Sequence, residues 1–273
     1  MSPEVGRLDE AALDELLGQD STAALALLCD LAVATDAQLR ARARQVAAKV
    51  FVRMARQGAP ARRGLRRLTT VRGGDGDLEL DRTLDRTGGL RPRHPEDFVV
   101  RRWGAAERAI CLLVDRSGSM KGEAVAMAGL AAAAVVIAGG ERSDCSIVAF
   151  ADRPIVLQSQ GQRRPPGDLV GELLSLRGLG TTDLALALAA AASQLGRAAS
   201  SDRLAVLMSD CLATAGRDPV ASLPGIDRLH VLGTSLDPDS LAAGRALARR
   251  GNGRHVVALR PHEVARAMSS LLG

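Results

Sequence analysis

Apolar and polar positions change rhythm twice along this chain. Between residues 8 and 32, Leu13, Leu16, Leu17, Leu25, Leu28 and Leu31 recur at three- and four-residue spacing, which predicts helices with one apolar face. Asp20 or Ser21 suits the cap of the second, and residues 38–57 predict a third, arginine-studded helix ended by Gly58-Ala59-Pro60. From 72 to 95, Gly, Asp, Arg and Pro break the period and predict an irregular linker with a short turn of structure. Beyond it, short apolar runs alternate with longer helical segments. The runs at 109–114 (AICLLV), 145–150 (CSIVAF), 204–209 (LAVLMS), 229–232 and 255–259 suit strands buried on both faces, and 155–157 lies close enough behind 145–150 for a hairpin. Helices are predicted at 122–138, 168–176, 183–197, 238–249 and 261–272. This alternation predicts an α/β fold, a doubly wound and mostly parallel sheet covered by helices on both faces, with an N-terminal helical extension. The expected division is an Arg-rich helical region 1–70, a linker 71–100 and an α/β domain 101–273.

Composition sharpens two points. The chain has 273 residues, 47% of them hydrophobic but only 1% aromatic, so the core must be built from Leu, Val, Ile and Ala. Lys49 and Lys121 are its only lysines, and the basic residues cluster: from Arg40 to Arg72 there are eleven Arg or Lys and no acid. This segment, with Arg62, Arg63, Arg66 and Arg67 as candidate partner contacts, reads either as a solvated helix face or as a surface for an acidic partner or nucleic acid. Nucleic acid is the less favoured reading, because only Phe51 offers a stacking surface there and no zinc-finger or RNP-type motif occurs.

Cys29, Cys111, Cys145 and Cys211 form no C-x-x-C pair, and three lie in apolar runs, which suits reduced, buried thiols in a cytoplasmic protein. No basic stretch followed by an apolar one marks a signal peptide. The longest apolar run, 127–138, falls well short of the roughly 20 residues that span a bilayer, so it is expected to be a core helix.

Three polar features fall at the carboxyl ends of predicted strands, where ligands bind in open α/β sheets. They are Asp115-Arg116-Ser117-Gly118-Ser119-Met120, the loop Gly180-Thr181-Thr182-Asp183, and Ser209-Asp210. Asp115, Ser117, Ser119, Thr182 and Asp210 offer hydroxyl and carboxylate oxygen, the donors a hard cation such as Mg²⁺ prefers. Alternate residues of an extended loop point the same way, so D-x-S-x-S can aim three oxygens at one point. Hydroxyls neutralise none of the ion's charge, which leaves it able to take one more anionic oxygen from elsewhere.

In this combination and order, the three features resemble the metal-ion-dependent adhesion site of von Willebrand factor A-type (VWA) domains. The resemblance covers roughly residues 101–273. It implies Ser117, Ser119 and Thr182 as direct ligands, with Asp115 and Asp210 binding the ion directly or through water. Thr181, beside Thr182, is an alternative ligand. The family often has Thr-Asp-Gly at the last position, and Ser209-Asp210-Cys211 here implies a slightly different turn. The ion implied is Mg²⁺, with Mn²⁺ or Ca²⁺ as alternatives.

The stretch GDLELDRTLDR (76–86), followed by RPRHPEDFVV, resembles bacterial cytoplasmic VWA proteins that act with MoxR-type AAA+ ATPases. That resemblance implies an adaptor in the assembly or maturation of other proteins, with a protein partner supplying a carboxylate to the metal. The alternative is a nucleic-acid-binding protein that uses the basic segment 40–72. No G-x-x-x-x-G-K-[ST] loop exists, so the chain is not itself the ATPase, and Ser117 and Ser119 fit no G-x-S-x-G elbow. His94, His230, His255 and His262 show no metal-ligand spacing. The expectation is a binding protein and not an enzyme.

Overall fold

The computed structural model describes residues 8–58, 66–73, 75–105, 108–116, 122–139, 144–176, 180–200 and 202–273. These divide into two compact units, one drawn from 1–60 and 108–273, the other from 61–107.

The chain begins with α1 (Glu10–Gln19), α2 (Ser21–Leu31) and α3 (Ala37–Gly58). Each starts where an aspartate takes up amide N–H groups that have no partner in the first turn. Asp9 accepts from Ala11 and Ala12, Asp20 from Thr22 and Ala23, and Asp36 from Leu39.

The smaller unit carries β1 (Arg66–Arg72), β2 (Asp77–Leu78), α4 (Leu80–Thr87), a 3-10 turn at Pro95–Asp97 and β3 (Val99–Ala105). Its sheet has the order β1-β3-β2, both pairings antiparallel, with Arg66 opposite Ala105 and Arg72 opposite Val99. Thr83 of α4 is buried and ties the helix to β3: its hydroxyl accepts from Val99 N at 2.9 Å and donates to Glu79 O at 2.8 Å. The stretch expected to be an irregular linker is therefore organised structure, with boundaries near 61 and 107 and not at 70 and 100. Local periodicity could not show this, because β1 finds its partner some thirty residues downstream. A two-residue strand and an eight-residue helix are also too short to establish a period.

The larger unit continues with β4 (Arg108–Asp115), α5 (Glu123–Gly139), β5 (Cys145–Phe150), β6 (Pro154–Gln158), α6 (Pro166–Ser175) and α7 (Leu184–Leu195). It closes with β7 (Asp202–Ser209), β8 (Arg228–Gly233), α8 (Pro238–Arg250), β9 (His255–Val257) and α9 (Pro261–Leu272). The sheet order is β6-β5-β4-β7-β8-β9, parallel throughout except for the antiparallel β5–β6 hairpin. Successive residues of a strand face opposite sides, and β4 divides accordingly. Ile110, Leu112 and Val114 enter one core with α5, α6 and α9, while Ala109, Cys111 and Leu113 enter a second with α7. All four cysteines are free and buried, and burial pushes their thiols up, to about 12 for Cys29, Cys111 and Cys211 and to about 11 for Cys145.

The N-terminal helices complete the first core. Val46, Ala47, Val50, Phe51 and Ala55 of α3 belong to the same apolar cluster as Leu130 of α5 and Leu169 of α6. Phe51 is fully buried, and a Cβ on Gly129 would lie 2.6 Å from its ring, so the missing side chain of Gly129 makes the ring's seat. A mid-helix glycine costs about 1 kcal/mol relative to alanine, less than the ~1.5–3 kcal/mol from burying a phenylalanine. The basic segment is partly committed to this packing. Arg40 Nη1 donates to Ala34 O at 2.8 Å and Arg44 Nε to Ala32 O at 2.9 Å, satisfying carbonyls at the end of α2, and Arg42 pairs with Glu10.

His230 on β8 is buried, and its Nδ1 accepts from Arg254 N at 2.9 Å. Burial, then Arg254, Arg228 and Arg108, hold its pKa down at about 4 from an ordinary 6.5.

Three outcomes are expected. Phe51→Ala should cost about 3–5 kcal/mol in urea unfolding, and Gly129→Ala should also destabilise, where a helix-propensity argument alone predicts a gain. Because the pKa of His230 is depressed on folding, its contribution is fully present above pH 6.5 and is lost as pH falls from there toward 4. Stability should drop by about 2 kcal/mol between pH 7 and 5, in a range where carboxylates of lowered pKa stay ionised. His255, also shifted down by burial, adds in the same sense. His230→Gln should flatten that slope.

Candidate metal centre

The alternation that builds the two cores also sets the site. Asp115, the last residue of β4, has the same parity as Cys111 and Leu113, and Ser209, the last residue of β7, the same as Ala205 and Leu207. Both therefore face the α7 side of the sheet at the carboxyl ends of neighbouring strands. Ser209 Oγ donates to Asp115 Oδ2 at 2.6 Å, and Cys211 N donates to Ser209 Oγ at 2.9 Å. Asp115 and Ser209 are buried, and Asp210 is half-buried, with Oδ1 accepting from Leu212 N at 3.0 Å.

The third element crosses the end of β4. Asp183 N donates to Ala151 O, just past β5, at 2.9 Å. Thr182 N donates to Thr214 Oγ1 at 2.8 Å, and Thr182 O accepts from Thr214 N at 3.1 Å and Ala215 N at 3.2 Å, just past β7. Strands β5 and β7 flank β4, so a loop pinned to both spans the strand end that Asp115 occupies. Thr182 is 3% exposed while Thr181 points to solvent, which favours Thr182 of the two hydroxyls for a role inside the site. Asp183 then caps α7 by accepting from Leu186 N at 2.9 Å.

The structure thus brings Asp115, Thr182 and Asp210 to one end of the sheet. Ser117 and Ser119 lie outside the described residues, as do Arg62 and Arg63. Arg66 and Arg67 fall on β1 of the smaller unit. Ser209, Thr214 and Gly216 support the site and were not candidate ligands in the sequence. Ser209 could have been found from its register with Asp115, whereas nothing in CLATAGRD marks Thr214. The carboxylates of Asp115 and Asp210 and the hydroxyl of Thr182, at one end of the sheet, are oxygen donors of the kind a hard cation takes; among the described residues no group of three or more His, Cys, Asp or Glu is placed to hold a metal.

A family model described as "VWA domain containing CoxE-like protein" matches residues 43–268. The chain belongs to that family. No curated protein matches the chain. Among solved structures it is similar to an aerotolerance-related membrane protein from Bacteroides fragilis, at 17% identity over 60% of this chain and 97% of that one, with a TM-score of 0.46. It is similar to a von Willebrand factor type A protein from Catenulispora acidiphila, at 18% identity over 64% of this chain and 44% of that one, TM-score 0.48. It is also similar to a point mutant of the PilB minor pilin from Streptococcus sanguinis, at 13% identity over 67% and 65%, TM-score 0.50. The chain thus spans less than two thirds of the last two, and at these identities the likeness concerns the fold alone.

Cys211 has φ +62, in the left-handed region that glycine occupies freely and other residues occupy at a cost of roughly 1–2 kcal/mol. The Cys211 N–H, donated to Ser209 Oγ, holds the turn in this conformation. Burial, then Asp210 and Asp115, raise the Cys211 thiol.

Gly216 is the tightest approach in this loop: at φ +94, an added Cβ would overlap the Asp183 carboxylate. Gly216→Ala should therefore cost about 1–3 kcal/mol and lift the 211–216 loop off Thr182. Hydrogen exchange at the amides of Thr214 and Ala215 should accelerate while amides of β4 keep their protection.

Proposed function

We propose that this VWA protein is a metal-dependent adaptor, acting with a MoxR-type AAA+ ATPase in the assembly or maturation of other proteins, and that it works by binding and not by catalysis. The observation that carries this reading is the convergence of Asp115, Ser209-Asp210 and the Thr182 loop at the carboxyl end of the sheet. Asp115, Thr182 and Asp210, with Ser117 and Ser119, would hold Mg²⁺, or Mn²⁺ or Ca²⁺ in its place. A bound divalent cation supplies a Lewis-acidic position for one carboxylate oxygen of the partner. The chain's own residues do the rest. Ser209 orients Asp115, the 211–216 loop fixes Thr182, and Leu186 and Leu212, 47% and 38% exposed, offer apolar contact beside the site. Burying a partner carboxylate is unfavourable without a compensating charge, so the contact is conditional on the ion.

We place the adaptor in the cytoplasm, a reading supported by four unpaired thiols. Among the described residues no helix is long and apolar enough to cross a membrane. The nucleic-acid alternative loses support from α3: its apolar face is buried in the core, and Arg40, Arg42 and Arg44 already have partners within the chain.

The test is capture of a purified MoxR-type AAA+ ATPase by the chain. EDTA should reduce capture at least tenfold, and added Mg²⁺ should restore it. Thr182→Ala and Asp115→Ala should each lower both Mg²⁺ affinity by calorimetry and capture, while Arg66→Ala with Arg67→Ala should not. Capture indifferent to EDTA, yet lost in the arginine variant, would overturn the reading.

A further inference from the structure

Helices α3 and α6 leave an open groove of about 760 Å³ between them. Its floor is apolar and low, formed by Ala48, Val52, Pro166, Gly167 and Gly171. One wall is cationic: Lys49, Arg53 and Arg56 stand at i, i+4 and i+7 along α3, hence on one ridge of that helix. All three are exposed, and among the described residues no ion pair neutralises them. Asp168 is the single acid in the lining. Helix α6 opens onto the groove through Pro166 and Gly167, and Asp168 in its first turn offsets the positive end of the helix, so the groove's charge is set by the α3 ridge.

Gly171 is informative because packing does not require it. It sits inside α6, where glycine weakens a helix, and a Cβ added there would meet nothing within 4 Å. At Gly129, by contrast, the missing Cβ seats a phenylalanine. What the glycine at 171 does is keep the floor of the groove deep. The groove shares no residue with the metal centre. Leu173 and Leu176, toward the other end of α6, line a small cavity with Val114, beside Asp115.

We infer that this groove is a second docking site, for an acidic amphipathic segment of a protein partner. Apolar side chains of that segment would lie on Val52, Gly167 and Gly171, and its Asp or Glu residues, spaced by helical turns, would meet Lys49, Arg53 and Arg56. Three like charges on successive turns repel one another in the free chain, and an acidic partner relieves that repulsion. The apolar floor and the regular one-turn spacing of the cations favour a helix laid in the groove. A nucleic-acid strand is disfavoured because the lining has no aromatic ring on which a base could stack.

The experiment is a selection of displayed random peptides on the full-length chain in EDTA, which silences the metal centre. Enriched peptides are remeasured by fluorescence anisotropy against the chain, against Arg53→Glu with Arg56→Glu, against Gly171→Leu, and alongside a 20-base-pair DNA duplex. Expected are acidic peptides with apolar residues at helical spacing. Their affinity should fall at least tenfold in both variants and fall with added salt, while thermal melting shows the variants folded. The proposal is overturned if nothing acidic is enriched, if enriched peptides bind the variants as well as the parent, or if the duplex binds more tightly than any peptide and loses that binding in the Glu variant. Because the selection is free of metal, its failure leaves the metal-dependent adaptor reading standing, and its success does not depend on that reading.

Discussion

A carboxylate buried at the end of a strand with apolar neighbours on both faces is the constraint around which this molecule is arranged. Asp115 cannot sit there uncompensated, since burying an ionised group without partners costs several kcal/mol. Ser209 meets part of that need through its hydroxyl, and it can do so only because β7 runs parallel to β4 in a register that brings the two strand ends level. That register in turn depends on the two cores, which fix which residues of each strand face which side. The Thr182 loop is then pinned to the ends of β5 and β7. The geometry of the site follows from the sheet, and the sheet cannot slip by one residue without turning Asp115 into the other core.

The N-terminal helices are part of the same arrangement. Helix α3 buries Phe51 against α5, the helix that follows the Asp115 loop, and packs beside α6, whose far end lies under Val114. Helices α2 and α3 thus pack on α5, α6 and α9, on the side of the sheet opposite α7, and α3 at the same time presents a cationic ridge to solvent. The groove between α3 and α6 shares no residue with the end of the sheet that Asp115 occupies.

The sequence by itself determined the layered α/β fold, because buried parallel strands read as unbroken apolar runs and the intervening helices are long enough to show their period. It also determined which polar residues end strands: an aspartate or a Ser-Asp pair directly after such a run falls at the carboxyl end of a strand whatever the details of packing. The tertiary structure alone decided what depends on contacts distant in sequence. The sheet of β1, β2 and β3 was illegible because its pairing joins segments some thirty residues apart. The support that Ser209, Thr214 and Gly216 give to Asp115 and Thr182 was hidden for the same reason, since each acts across a sequence gap that no local pattern spans. The arginine-rich stretch read as an exposed segment because its charges are conspicuous in the sequence. Only packing showed that Phe51 and its apolar neighbours fasten one face of that helix into the core, and that Gly171, on another helix, keeps open the groove beside the charges that remain.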